Sequence, residues 1–360
     1  MTLINIQGGD IYRVVTWLSS STLELFSSYL SNRQQYVKFK KCASSTFVAK
    51  SGVPQGSNLG PLLFLIFIND LPTILQYTEC LLYADDVKIF KTLSDTDDCV
   101  LIQSDLNKLN EWCQLNKLYL NISKCKCLSL TRKQSTFKFN YTIDNIQLER
   151  CDTIRDLGVI FQGNLSFKMH IEAMISDAYR MLGLIMRYSK DLYNINVIFV
   201  LFNSFVRSKL EYAAVIWNPL FKLYTKKIEM IQSKFLRYLY YKFEHYYPTL
   251  MPYRDLTSFY NVKTLQCRRE AALLVFVYKL FHGYIDSSDL LSQFNIVVPN
   301  LKTRSNNITF TTIIRSTTYA HDSSPVSQMI QLLNNHLLKF PDIDFFNTGI
   351  RKYMSSCFNK

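Results

Sequence analysis

The sequence predicts an α+β protein whose second half is mainly helical. Two observations predict it. Up to about residue 170, short stretches of strand-like alternation interleave with helical stretches and show no regular βαβ repeat, a pattern that reads as α+β. From Ile171 onward the segments 171–189, 195–210, 223–243 and 263–282 are long, apolar on one side and poor in glycine, which predicts helices.

The elements follow in chain order. Residues 35–40 and 46–50 read as two strands leading into an irregular loop, Ser51-Gly52-Val53-Pro54-Gln55-Gly56-Ser57-Asn58-Leu59-Gly60. Pro61 suits the first turn of the apolar helix that runs from Leu62 towards Ile68. Backbone amides at such a helix start can face phosphate, Gly permits close approach of a ligand, and the Gln55 amide both donates and accepts. An ordinary turn is the other reading of this loop.

Next comes the feature richest in chemistry. Tyr83-Ala84-Asp85-Asp86 lies between Cys80-Leu81-Leu82 and Val87-Lys88-Ile89-Phe90, which predicts a strand, a tight turn carrying two adjacent carboxylates, and a second strand. Like charges that close repel, so each acid would rather be neutral unless a cation compensates. Carboxylates with few other ligands suit magnesium or manganese. The plain alternative is a surface turn rich in Asp for ordinary reasons.

Ser94-Asp95-Thr96-Asp97 resembles a helix start, and Ile102, Leu106, Leu109 and Cys113 then mark one face of a helix over 97–115. Phe137, Phe139, Tyr141 and Ile143 alternate with polar residues and predict a half-buried strand, turned by Asp144-Asn145 and returning through 146–148.

The chain carries a net charge of +13, of which +3 falls on residues 1–170 and +10 on residues 171–360. Positive charge is thus concentrated in the helical half, as suits a region holding a polyanion. In the segment 222–242, Lys222, Lys226, Lys227, Lys234, Arg237 and Lys242 accompany one acid, Glu229, with Tyr224, Tyr238, Tyr240 and Tyr241 interleaved. Basic groups neutralise phosphates while rings stack on bases or sugars; a solvated basic face with tyrosines closing the core edge fits equally. Beyond residue 285 the chain is rich in Asn, Ser and Thr and its composition identifies no activity.

The nine cysteines are scattered and odd in number, which argues against secretion and a disulfide framework. Cys125-Lys126-Cys127, with a one-residue gap and no nearby His, makes a poor zinc site. No charged-then-apolar signal pattern opens the chain, and the longest apolar runs fall short of a membrane span. The expectation is an intracellular protein of the nucleus or cytoplasm, neither secreted nor membrane-spanning.

Together, SGVPQGSNLGPLLFLIFINDLP at 51–72 and LLYADD at 81–86 resemble motifs B and C of the reverse transcriptases of LINE-type (non-LTR) retrotransposons. LNKLYLNISKCKCLSL at 115–130 resembles motif D, and IRDLGVIFQGNLSFKMHI at 154–171 the segment of the primer grip. YAAVIWNP at 212–219 resembles the helical region after the palm, and SYLSNRQQYVKF at 28–39 the stretch before motif B. The resemblance covers about residues 24–220.

The resemblance implies a polymerase palm followed by a helical thumb. The expected division is 1–170 as partial fingers and palm with motifs B to E, 171–245 as a thumb-like region, and 246–360 as a mostly helical region of unknown role. It implies RNA-directed DNA synthesis from deoxynucleoside triphosphates on an RNA template and a DNA primer, with Mg2+ or Mn2+ held by Asp85 and Asp86. Pro54, Gln55 and Gly56 would touch the template base or incoming nucleotide. Lys124 would protonate the departing pyrophosphate, with Lys126 a near alternative. Tyr83, Ala84, Leu157 and Gly158 would position the primer end, and Lys226, Lys227, Lys234 and Arg237 would hold the nucleic-acid backbone. Gln162 stands where the family commonly has an acid. The family also needs a motif A aspartate, and before Ser51 the chain offers only Asp10 and Glu24. The expectation is therefore a truncated palm, its fingers and motif A largely missing, with little activity alone; the alternative is a catalytically dead remnant that only binds RNA or DNA.

Overall fold

The computed structural model describes residues 19–49, 52–54, 56–131, 137–297, 309–312, 324–341 and 343–358. Helices and small two-stranded sheets mix in the first half, and long helices dominate the second, compatible with the α+β class. Two compact units result. One runs to Ile154 and takes in Gly163–Leu165; the other comprises Arg155–Gln162 and the chain from Ser166 onward.

The first unit opens with α1 (Ser20–Leu30), capped by the Ser19 hydroxyl, which accepts from the Thr22 amide. The strand predicted over 35–40 divides in two. Strand β1 (Arg33–Gln35) pairs with β4 (Phe47–Ala49), while β2 (Lys38–Phe39) pairs with β3 (Cys42–Ala43), both antiparallel. Lys40, left-handed at φ 52°, forms the inner turn. Next come α2 (Gly60–Ile68), the antiparallel hairpin β5 (Glu79–Tyr83) and β6 (Asp86–Phe90), and α3 (Asp97–Leu115). The start of α3 is fixed reciprocally: the Asp95 carboxylate accepts from the Asp98 amide at 3.0 Å, and the Asp98 carboxylate accepts from the Ser94 amide at 2.7 Å. Thr96 itself makes no side-chain cap bond.

One core of this unit gathers Phe67, Ile68 and Leu71 against Leu109, Trp112 and Cys113 of α3, with Leu82, Val87 and Ile89 of the hairpin packed on it. The strand predicted from Phe137 is a correction. Only Thr142–Ile143 pairs, with Ile146–Gln147, around Asp144 and Asn145, both at positive φ. Phe139 and Tyr141 still face a second core with Cys99, and the Tyr141 carbonyl accepts the Leu148 amide at 2.8 Å, so their alternation reports burial more than strand pairing.

The second unit is built on α4 (Lys168–Tyr188), α5 (Ile195–Phe202), α6 (Ser208–Glu211), α7 (Ala214–Trp217), α8 (Lys222–Glu244), α9 (Tyr253–Phe259) and α10 (Leu265–Phe281). The helix predicted over 195–210 is interrupted by a π-helical turn, Asn203–Arg207. Ile198, Phe202, Val206, Phe235 and Leu239 lie fully buried with Trp217 in the first core of this unit. A second core joins α10 to the helices Pro325–Lys339 and Ile350–Phe358 and to the strand pair Phe294–Val297 and Thr309–Thr312. No helix among the described residues is long and apolar enough to cross a membrane.

Candidate active site

The acidic turn follows from the pleat of its hairpin. Cys80 pairs with Ile89 and Leu82 with Val87, and these four face the core. The intervening pairs, Leu81 with Lys88 and Tyr83 with Asp86, point the other way. Pairing of Tyr83 with Asp86 leaves a two-residue turn, Ala84-Asp85, with Ala84 left-handed at φ 51°. Asp85 therefore stands in the turn and Asp86 opens the returning strand; both are exposed. Tyr83 is 63% exposed on the outer face.

A residue that sequence reasoning missed holds the base of this hairpin. Asp105, on α3, is fully buried. Its carboxylate accepts the backbone amides of Gln76 at 3.1 Å, Tyr77 at 2.8 Å and Thr78 at 2.9 Å, and the Thr78 hydroxyl at 2.8 Å. Lys108 adds an ion pair at 3.5 Å. Burial pushes this carboxyl up, but the bonds from Tyr77, Gln76 and Thr78 more than offset it and hold it below the ordinary carboxylate value. The segment entering β5 is thus fastened to α3. The available signal was an acid set within the apolar stripe of a helix, beside Leu109 and Trp112.

The Gly/Pro loop organises the start of α2. The Ser57 hydroxyl donates to the Pro54 carbonyl at 2.8 Å and accepts the Gly60 amide at 3.0 Å. A Cβ on Gly60 would sit 3.0 Å from Ser57 Oγ and 3.3 Å from Pro54 O, so this position favours glycine. Gly56 is left-handed at φ 78°, with open space around it. Gln55 lies outside the described residues, as does Asp10.

Lys124 ends a short 3-10 turn, Ile122–Lys124, and is exposed. Its neighbour Lys126 is engaged with Glu149 at 3.2 Å. Leu157 and Gly158, at φ 43° and 86°, make a two-residue turn in the second unit, where Tyr212 donates its hydroxyl to the Leu157 carbonyl at 2.8 Å.

On α8, Lys226, Lys227 and Lys234 are exposed. Lys227 lies over the Tyr224 ring at 5.6 Å and Lys234 over Tyr179 at 5.5 Å. Arg237 differs from them: its guanidinium donates to the Pro248 carbonyl and, at 2.8 Å, to that of Met251, so it secures the chain after the helix.

Among the described residues no cluster of three or more His, Cys, Asp or Glu is placed to hold a metal ion. The hairpin turn contributes two carboxylates. Their oxygen donors suit Mg2+, which keeps several waters and is held by one or two carboxylates plus substrate phosphates.

Residues 10–161 match the model of the family described as reverse transcriptase (RNA-dependent DNA polymerase). This part of the chain is similar to a reverse-transcriptase domain, and the relatives that it resembles are polymerases of transposons and mobile elements. The chain is 26% identical over 225 residues to the probable RNA-directed DNA polymerase from transposon X-element of Drosophila melanogaster, covering 59% of this chain and 24% of that protein. It is 27% identical over 240 residues to the RNA-directed DNA polymerase from mobile element jockey of Drosophila funebris, covering 64% and 26%. A third relative, the probable RNA-directed DNA polymerase from transposon BS of Drosophila melanogaster, is 29% identical over 166 residues, covering 43% of this chain and 18% of that protein. The chain thus spans about a quarter of the length of the first two. No solved structure matches it.

Proposed function

We propose that this chain contributes the Asp85–Asp86 side of an RNA-directed DNA polymerase site, extending a DNA primer on an RNA template with deoxynucleoside triphosphates. The observation that carries the reading is the hairpin end, where Asp85 in the two-residue turn and Asp86 at the start of the returning strand are both exposed while the hairpin's other face is locked in the core. Asp85 and Asp86 would hold Mg2+ or Mn2+, and such ions, when bound, position the 3′ oxygen and stabilise charge on the leaving group. Pro54, Gln55 and Gly56 would contact the template base or nucleotide. Lys124 would hold a proton for the departing pyrophosphate. Leu157 and Gly158 would support the primer end, and Lys226, Lys227 and Lys234, in the thumb-like 171–245 region, would meet the phosphate backbone.

Two-metal chemistry draws carboxylates from both sides of the site, and the described residues bring them from one hairpin. Extension by this chain alone is therefore expected to be slow; a loss of several kcal/mol in transition-state stabilisation means orders of magnitude in rate. The test is primer extension on an RNA template in magnesium or manganese, with Asp85→Asn and Asp10→Asn variants. Extension that Asp85→Asn abolishes supports the assignment, and loss in Asp10→Asn as well would identify the second side. Extension that survives Asp85→Asn overturns it. The single-sided acid pair also favours a second reading, a remnant that only binds RNA or DNA; RNA binding without extension in either metal would select it.

A further inference from the structure

The second unit contains a cavity of about 190 Å3. It lies at the π-helical turn of the α5–α6 segment, which contributes Asn203 and Arg207 to its wall. Asn261, Lys263 and Arg268 line it from the loop before α10 and from α10 itself. Its floor includes the stacked rings of Phe202 and Phe235, 4.0 Å between centroids.

The charge of this wall is out of balance. Arg268 makes a two-toothed pair with Glu211, one arm at 3.0 Å. Arg207 reaches the same carboxylate only at 3.7 Å. Among the described residues Lys263 has no ion-pair partner. Next to Arg268, the Arg269 guanidinium is 1% exposed and its three nitrogens have no hydrogen-bond partner; its nearest acid, Glu229, stands 3.9 Å away. That acid is already committed to the Leu265 amide at 3.1 Å and to the Tyr253 hydroxyl at 2.6 Å. Three cations, Arg207, Lys263 and Arg268, thus line the concavity, and two of them share the one Glu211 carboxylate. Low-dielectric walls of a single sign focus potential into a cleft.

We infer that this cavity is a binding site for one phosphate group, supplied by a nucleic-acid strand or by a free polyphosphate. The Arg207 guanidinium, the Lys263 ammonium and the side-chain amides of Asn203 and Asn261, all on this wall, are donors of the kind that phosphate oxygens accept. The volume is below the 300–1,000 Å3 of small-molecule pockets, so it admits a phosphate and not a whole nucleotide with its base. A π-turn inside an α-helix is frequent at functional sites. The inference rests on the polymerase reading only for the strand as the source of the phosphate. The surface is distinct from the exposed lysines of α8.

The test uses the full chain and a short, labelled single-stranded RNA, with binding followed by anisotropy between about 50 and about 200 mM salt. Lys263→Gln is the informative variant, because the side chain is exposed. Lys352→Gln, on an exposed lysine of the C-terminal helix, is the control. Lys263→Gln is expected to weaken binding several-fold and to lower the salt slope by about 0.7, the release expected per neutralised phosphate of a single strand; the control should change neither. A parallel arm measures the rise in melting temperature on adding tripolyphosphate. A rise abolished by Lys263→Gln with RNA binding unaltered keeps the phosphate site and assigns it to the free anion. An unchanged salt slope together with an unchanged tripolyphosphate response in Lys263→Gln overturns the inference, as does an equal effect of the control. Failed primer extension with a positive binding arm removes the polymerase reading and leaves this site standing.

Discussion

Replacing Asp105 by Asn tests whether the acidic hairpin is held from below. The native carboxylate accepts three backbone amides and one hydroxyl. Hydrogen bonds to a charged group contribute about 1.5–3 kcal/mol each and are not additive. All four donors reach Oδ2, where Asn can set its one oxygen, but the bonds then lose their charge assistance and the NH2 at the Oδ1 position is turned towards the Gln76 amide and Lys108. The expected cost is about 3 kcal/mol, near the upper end for a single substitution. At about 1.4 kcal/mol per tenfold, amide exchange over residues 76–90 should quicken by roughly two orders of magnitude. The assay is hydrogen exchange resolved by segment, with urea unfolding alongside. Because the native carboxyl is held below its ordinary 3.8, its contribution is whole above that pH and is lost as pH falls through the folded value. The gap between Asp105→Asn and the native chain should therefore narrow in acid. Unchanged exchange over 76–90 at neutral pH, with a stability change under about 0.5 kcal/mol, would refute the reasoning.

The basic residues of α8 should separate into two kinds. Changing Lys226, Lys227 and Lys234 together to Gln should lower the RNA-binding salt slope by about two without loss of fold, whereas Arg237→Gln should cost about 1–3 kcal/mol by freeing the Pro248 and Met251 carbonyls. Gly158→Ala should cost about 1–3 kcal/mol, read by thermal melting, since Gly158 has φ +86° and an added Cβ would sit 3.2 Å from the Tyr212 ring. Phe235→Ala should cost about 3–5 kcal/mol in denaturant unfolding, through the cavity it leaves beneath Phe202. Burial, and then Lys339, hold the His336 imidazole below its ordinary 6.5, so its contribution is whole above that pH and lost as pH falls through the folded value; His336→Gln should flatten the acid limb of a stability–pH curve.

The hairpin of Asp85 and Asp86 was legible because a period-two pattern bounded by turn residues specifies pairing and facing together. The helix packed against it was legible from its own period of about 3.6, its stripe of Leu109 and Cys113 lying in the shared core. The pattern of Phe137 to Ile143 shows the limit. Alternation encodes which side chains are buried, while a strand also needs a continuous backbone ladder, and here only Thr142 and Ile143 are ladder-paired, with one further bond from the Leu148 amide to the Tyr141 carbonyl. Asp105 escaped notice because its donors lie 27 to 29 residues earlier in the chain. Local composition holds no record of such a contact. Arg237 was grouped with the lysines by its charge, but its geometry makes it a tie between backbone segments. The wheel position of a cation does not say whether it points to water or to a carbonyl.

The π-helical turn at Asn203–Arg207 solves a counting problem. Ile198, Phe202, Val206 and Leu210 recur every fourth residue, and all are 2% exposed or less. In an uninterrupted α-helix each step of four overshoots a full turn by about 40°. By the third step the side chain would stand about 120° from the first, past the edge of a stripe roughly 100° wide. Bonds from i to i+5 widen the coil and return part of that overshoot, so a four-residue rhythm stays in phase with one wall of the core. Removing a single residue from this turn would do more than shorten it. Everything beyond, from Leu210 to Trp217, would be dealt out about 100° away from its place, and the error would be one of phase, with every side chain still present.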